Sequence, residues 1–357
     1  MAHSAPAKAA ATLPPPSVSI WWFAFGYFAA YAPYSALTKA LSKGVLDKNV
    51  APLDGLVILP IVVLASTLGM FTFLFASGWW RAAGRIQLGR LRIPAPRPLT
   101  LISGMTTAVI LVTTTLAYTL EGVSIVFAML LMRGGVLIIA PVVDALARRK
   151  VHWTSWTALL LSLSSLFVAF AERGGLALSL AASVDIALYL AAYFVRLRLM
   201  TQVAKSEDAR DSRRYFVEEQ LVASPLSLLV LLLWALLSLG GVGAQEGGLL
   251  ASGALLREGI VALWAHPHVW VVFLVGLLSQ ATGIFGGLIL LDKRENTFCV
   301  PVNRASSVLA GIVATFALWA LAGGSAPSAH ELVGAVLIIA AIAVLSLPTM
   351  IAGLRRG

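Results

Sequence analysis

The chain has 357 residues, 59% of them hydrophobic and 12% charged, well under the charged share of about 25% in a soluble protein. Its formal net charge is +10, but the basic residues flank long apolar runs, so they read as topology signals and contacts to anionic headgroups, which excludes nucleic acid as the partner. One cysteine, Cys299, lies within an apolar run, and none of the five histidines sits deep in one, so neither thiol catalysis nor a metal cluster has material to work with.

Residues 1–18 are rich in Ala and Pro and read as a disordered tail. Ten apolar runs of spanning length follow, at 19–41, 55–77, 99–119, 123–145, 154–171, 176–195, 215–239, 269–291, 297–322 and 330–352. Most connections are short. The longest, 240–268, holds LLASGALLREGIVALWAH, apolar but shorter than a span, and is expected to place a helix in the membrane interface. Lys and Arg fall mainly on one side of this alternation, which puts both termini in the cytoplasm. Arginine outnumbers lysine and alanine is abundant, so a bacterial plasma (inner) membrane is expected.

Two of these runs carry an arginine near the middle: Arg133 in EGVSIVFAMLLMRGGVLIIAPVVDA and Arg304 in ENTFCVPVNRASSVLAGIVATFALWALA. A cation at membrane depth costs roughly 2.5–3.5 kcal/mol on insertion scales, so each demands a partner or a role. LLMRGGVLIIAPVV can be laid on PVNRASSVLAGIVA with the arginines matched. The expectation is therefore an all-α membrane protein of ten transmembrane helices forming two inverted five-helix repeats, 19–172 and 173–357, with an outer loop at 240–268 in the second.

Four segments carry a family resemblance: YSALTKALSKGVL, MLLMRGGVLIIAPVVDALARRKVHWTSWTALLLS, EEQLVASPLSLLVLLL and VPVNRASSVLAG. Over about residues 19–350 the chain resembles the drug/metabolite transporter superfamily, which includes EamA-type exporters and the nucleotide-sugar and triose-phosphate translocators. The resemblance implies ten helices and alternating-access transport of a metabolite. The sugar-phosphate branch often shows two adjacent basic residues where Arg304 stands alone between Asn303 and Ala305. The basic turn Arg148-Arg149-Lys150 lacks the acid that EamA-type members often place there. The resemblance is therefore to the superfamily and to no single branch.

Candidate residues follow from buried polarity. Arg133 and Arg304 are expected to bind an anionic group, since guanidinium is always charged and grips carboxylate or phosphate with two bonds; paired by a fixed acid, they would be structural. Tyr27, Tyr31 and Tyr34 share the first span, and Asp185, Tyr189 and Tyr193 fall on one face of the sixth. Tyr31 and Tyr189, the deeper pair, are expected at the substrate, while Tyr27 and Tyr193 fit an interfacial belt equally well. Asn303 and Gln280 are further substrate contacts, and Gln280 adjoins the Gly283-x-x-x-Gly287 spacing of close helix packing. Lys39 either snorkels to headgroups or adds a positive group at the outer mouth. Asp185 and Glu219 are the coupling or ion-pair carboxylates. Glu218 and Glu219 also suit a helix N-terminus electrostatically.

No P-loop, nucleophile elbow, metal spacing or catalytic carboxylate pair occurs. The expected protein is thus a secondary transporter of a small polar, anionic organic metabolite, not an enzyme and without a cofactor. Its partners are that substrate and the lipid bilayer, with a homodimer left open. Two other readings stay open: a proton-coupled exporter of drugs or amino acids, with Asp185 carrying the proton, and a non-transporting scaffold or lipid-binding receptor.

Overall fold

A computed structural model describes residues 19–47, 49–88, 91–116, 125–171, 180–205, 209–238, 249–322 and 329–354. The tail expected at 1–18 lies outside them. Eleven α-helices account for most of the described chain: α1 (Ile20–Lys43), α2 (Gly55–Ala76), α3 (Pro98–Leu116), α4 (Ile125–Leu146), α5 (Trp153–Ala171), α6 (Leu180–Val203), α7 (Ala209–Leu237), α8 (Leu249–Val261), α9 (Val269–Leu290), α10 (Asn296–Ala322) and α11 (Ala329–Leu354).

Ten transmembrane helices in two inverted five-helix repeats is not what these residues form. Among the described residues, four helices are long and apolar enough to cross a membrane: Gly55–Ala76, Arg210–Leu237, Val269–Leu290 and Asn296–Leu321. The other apolar runs fall short for identifiable reasons. Tyr27, Tyr31, Tyr34, Thr38 and Lys39 dilute α1, and Asp185, Arg196 and Arg198 interrupt α6. Pro98–Thr114, Trp153–Val168 and Leu332–Leu347 are shorter apolar helices. The loop 240–268, expected to hold a helix shorter than a span, contributes α8. The protein is a helical, membrane-associated chain with a few apolar spans. Large side chains cover its outside, among them Trp22 (67% exposed), Phe25 (60%) and Trp270 (77%), an apolar surface suited to lipid and not to water.

Local chemistry sets the helix ends. The Asp54 carboxylate accepts from the Leu56 amide at 2.7 Å and starts α2. Gly44 ends α1 with φ 63°, its amide donating back to Ala40 and Leu41, a left-handed cap that glycine adopts without steric cost. The charged stretch between α2 and α3 forms a short 3-10 helix, Trp79–Ala82, and an antiparallel hairpin, β1 (Arg85–Leu88) with β2 (Leu91–Pro94), in which Ile86 faces Ile93. Sequence reasoning left this hairpin as a loop.

The helices pack in a mesh. α1 lies against α9 and α10, α2 against α7, α8 and α9, α3 against α6 and α7, α4 against α6 and α10, and α5 against α11. α8 is docked: Leu256 is fully buried between α2 and α7, so this segment is part of the packed structure. α9 approaches its neighbours closely through glycine, since a Cβ on Gly276 would stand 2.5 Å from the Val62 carbonyl oxygen and one on Gly286 2.9 Å from the Tyr27 ring. The largest buried side chains include Tyr215, Phe216, Met70, Leu197 and Met200.

Two carboxylates join helix ends that are distant in sequence. Asp144, fully buried at the end of α4, accepts four bonds at the start of α10: from the Asn296 amide (2.9 Å) and Nδ2 (2.8 Å), and from the Thr297 amide (2.7 Å) and Oγ1 (2.7 Å). In return Glu295, just before α10, accepts from Ser155 Oγ at 2.8 Å in the first turn of α5. Each acid sits where free helix amides and a positive dipole end favour it.

A candidate anion site in the central cavity

A cavity of about 370 Å³ opens between α1, α2, α3, α6, α7, α9 and α10, within the range of small-molecule sites. Each helix contributes through its periodicity. Tyr27, Tyr31 and Tyr34 follow one another along one face of α1: Tyr27 stacks on Tyr31 (centroids 5.6 Å, 14°) and Tyr31 meets Tyr34 edge-on (5.5 Å, 66°). Tyr27 and Tyr34 line the cavity from this ladder. α2 gives Ser66 and Thr67, α3 gives Thr107 and Thr114, α6 gives Tyr193 and Arg196, and α10 gives Asn303 and Arg304. α9 supplies Gln280, whose Oε1 accepts from Ser66 Oγ at 2.7 Å. Gly283 and Gly287 both line the cavity; a Cβ on Gly287 would meet the Phe216 ring at 3.0 Å, whereas one on Gly283 would meet only Gln280 Nε2, at 3.7 Å.

Arg304 is the cavity's unneutralised cation. Its guanidinium carbon stands 5.4 Å from the Tyr193 ring centroid, a cation–π contact. Its Nε is buried and has no hydrogen-bond partner. Among the described residues no carboxylate pairs with it. Arg133 is not in the cavity wall. It donates from Nη2 to the Tyr31 hydroxyl at 2.8 Å, and so reaches the cavity through the Tyr31–Tyr27 stack.

The other expected site residues separate. Arg304, Asn303 and Gln280 line the cavity. Tyr189 is buried outside the wall, 4.9 Å from Tyr193 between centroids. Lys39 is exposed and donates to Thr315 Oγ1 at 3.1 Å. Asp185 is 5% exposed, and neither carboxylate oxygen has a hydrogen-bond partner, so it neutralises neither arginine. Glu219 is an ion-pair residue: it holds Arg196 through two bonds, at 2.8 and 3.0 Å. Glu218 anchors the hairpin region, accepting from Gly84 N (3.0 Å), Arg97 N and Nε (both 3.1 Å), Thr100 Oγ1 (2.7 Å) and Arg214 Nε (2.7 Å).

Sequence reasoning missed Arg196, which it placed in a cytoplasmic connection. It also gave Tyr27 and Tyr193 as much to an interfacial belt as to a site. The signal for Arg196 was its helical phase: it lies three residues after Tyr193 and so on nearly the same face.

No protein-family model matches the chain, and no curated protein matches it. Among solved structures 27 chains match. One, a crystal structure of a protein, aligns over 92% of this chain and 96% of its own, with a TM-score of 0.52 and 14% sequence identity. At that identity the likeness is one of fold alone.

Proposed function

We propose that this protein is a secondary transporter of a small organic anion and that Arg304 binds the anionic group in the central cavity. One observation carries the reading: a guanidinium in a polar cavity between apolar helices, with a buried Nε lacking any partner and, among the described residues, no acid paired with it. A charge left this way in a low-dielectric interior is costly unless something compensates it, which is why ionisable groups at membrane depth mark substrate pathways. The four segments that resemble the drug/metabolite transporter superfamily support the same class. With no nucleotide-hydrolysing motif in the sequence, transport runs on a gradient or by exchange. Arg133 is a second positive group that acts on the cavity through Tyr31. The arginine-rich composition supports a bacterial inner membrane.

The test is counterflow of organic anions in proteoliposomes holding the purified protein. Arg304→Gln should abolish anion uptake and Arg304→Lys should retain part of it. Normal transport by a well-folded Arg304→Gln protein sinks the binding role.

One observation favours a second reading. Asp185 is buried with both oxygens unpartnered, an arrangement suited to a carboxyl that takes up and releases a proton. On this reading the protein is a proton-coupled exporter. A protonophore should then collapse transport, and Asp185→Asn should transport without responding to a pH gradient. Transport that ignores both changes removes this reading.

A further inference from the structure

The wall of the cavity mixes polar and apolar side chains: α2 gives Ser66 and Thr67 beside Val62 and Val63, and α3 gives Thr107 and Thr114 beside Ile110 and Leu111. Among the described residues, the ionised groups in this wall are Arg196 and Arg304. Arg196 is committed, because both Glu219 oxygens take its guanidinium hydrogens at 2.8 and 3.0 Å. Drawing it toward a ligand would strand a fully buried carboxylate. Arg133 stands outside the wall; its charge is met only by the neutral Tyr31 hydroxyl, and it reaches the cavity only through the Tyr31–Tyr27 stack. Among the described residues the wall itself therefore presents one uncompensated positive charge and no free carboxylate.

Resting on Arg304 as the anion contact, we infer that the substrate is a monoanion: one carboxylate-type group at Arg304 and an otherwise uncharged body. Each alternative leaves a charge unmatched in a low-dielectric space. A phosphate monoester brings a second negative charge with no second free cation in the wall to contact it. A zwitterion brings an ammonium with no acid to receive it. A neutral amide leaves Arg304 bare.

Four matched probes separate these classes on the purified full-length protein in an uncharged detergent: phenylacetate, phenylacetamide, benzyl phosphate and phenylalanine, at a pH where the phosphate is a dianion. Melting temperature against concentration gives an apparent Kd for each. Phenylacetate should bind about tenfold more tightly than the other three or better, a factor that one unmatched charge readily supplies. Arg304→Gln should remove its advantage over phenylacetamide. Gly283→Leu, placed where the cavity is open, should block all binding while the protein stays folded. Equal or tighter binding of benzyl phosphate or phenylalanine overturns the monoanion class, and Arg304 survives as an anion anchor if Arg304→Gln abolishes that binding. Equal binding of phenylacetamide, or no shift with any probe, overturns both. The comparison among the four probes needs no variant, so poor folding of Arg304→Gln would not blunt it.

Discussion

Arg196 and Glu219 meet as a fork that faces the cavity yet is closed to it. Nε and Nη2 of the arginine donate to the two carboxylate oxygens at 2.8 and 3.0 Å, and the residues are 7% and 0% exposed. Ser103 Oγ and Thr107 Oγ1 add bonds to Glu219 Oε1 at 2.7 and 3.0 Å. The pair thus ties α6 and α7 to α3. Removing one member strands a buried charge, so Glu219→Ala should destabilise the protein by about 3–5 kcal/mol. Replacing both, as Arg196→Met with Glu219→Leu, should recover most of that loss. Thermal unfolding of the two single variants and the double variant forms a cycle, and additive losses would show that the pair is not coupled.

Asp144 is a long-range helix cap. Its four bonds to Asn296 and Thr297 hold the first turn of α10 against the last of α4. Asn at this position keeps the shape but turns an NH2 toward donors. Each hydrogen bond lost to a charged group is worth roughly 1.5–3 kcal/mol, so Asp144→Asn should lower the unfolding midpoint clearly. Hydrogen exchange gives the specific signature: amides at the start of α10 should lose protection first. Unchanged protection there would show that another group holds the turn.

How much of this could be read from the chain depends on what each residue's position reveals. Arg304 is legible because a charge inside an apolar run is anomalous wherever the helix packs. Arg196 is not, because the apolar run stops at Val195 while α6 continues to Val203, and a helix is not obliged to end where it leaves lipid. Glu218 and Glu219 look like first-turn acids, but α7 begins at Ala209, so they are buried in its third turn. Composition shows that a helix is apolar, not whether it faces lipid or protein; hence ten apparent spans against the four helices long and apolar enough to cross. Nothing in one dimension shows that Asp185 is left without a partner. The hairpin did leave a trace, since Arg85 and Gln87 alternate with Ile86 and Leu88, but four residues of alternation beside a run of arginines also read as a loop.

Two glycines on the same helix should respond oppositely to alanine. On Gly276 the new methyl would stand 2.5 Å from the Val62 carbonyl oxygen and 2.6 Å from Ala65 Cβ. Neither can yield without moving α9 off α2, so Gly276→Ala should cost about 1–3 kcal/mol by overpacking. On Gly283 the methyl would enter open cavity, and the gain in helix propensity should stabilise by about 0.5–1 kcal/mol. Melting temperatures of the two variants in the same detergent should move in opposite directions. A common rise would mean that helix propensity governs both sites, and a common fall that Gly283 is packed as closely as Gly276.

Acid should loosen the turn between α9 and α10. Asp292 lies outside the helices, and Arg294 donates to it from Nε (2.8 Å), Nη2 (3.1 Å) and the backbone amide (3.1 Å). Burial pushes its pKa up, but these bonds and the charge of Arg294 outweigh that and hold it below the ordinary carboxylate value. The folded state therefore releases this proton more readily than the unfolded chain. The resulting stabilisation is complete above the unfolded carboxylate pKa, about 3.9, and is lost as pH falls through the lower folded value. Unfolding midpoints measured from neutral pH downward should fall less steeply at the acid end for Asp292→Asn than for the unaltered protein. Equal slopes would mean that the Asp292–Arg294 pair survives in the unfolded chain and contributes nothing to folding.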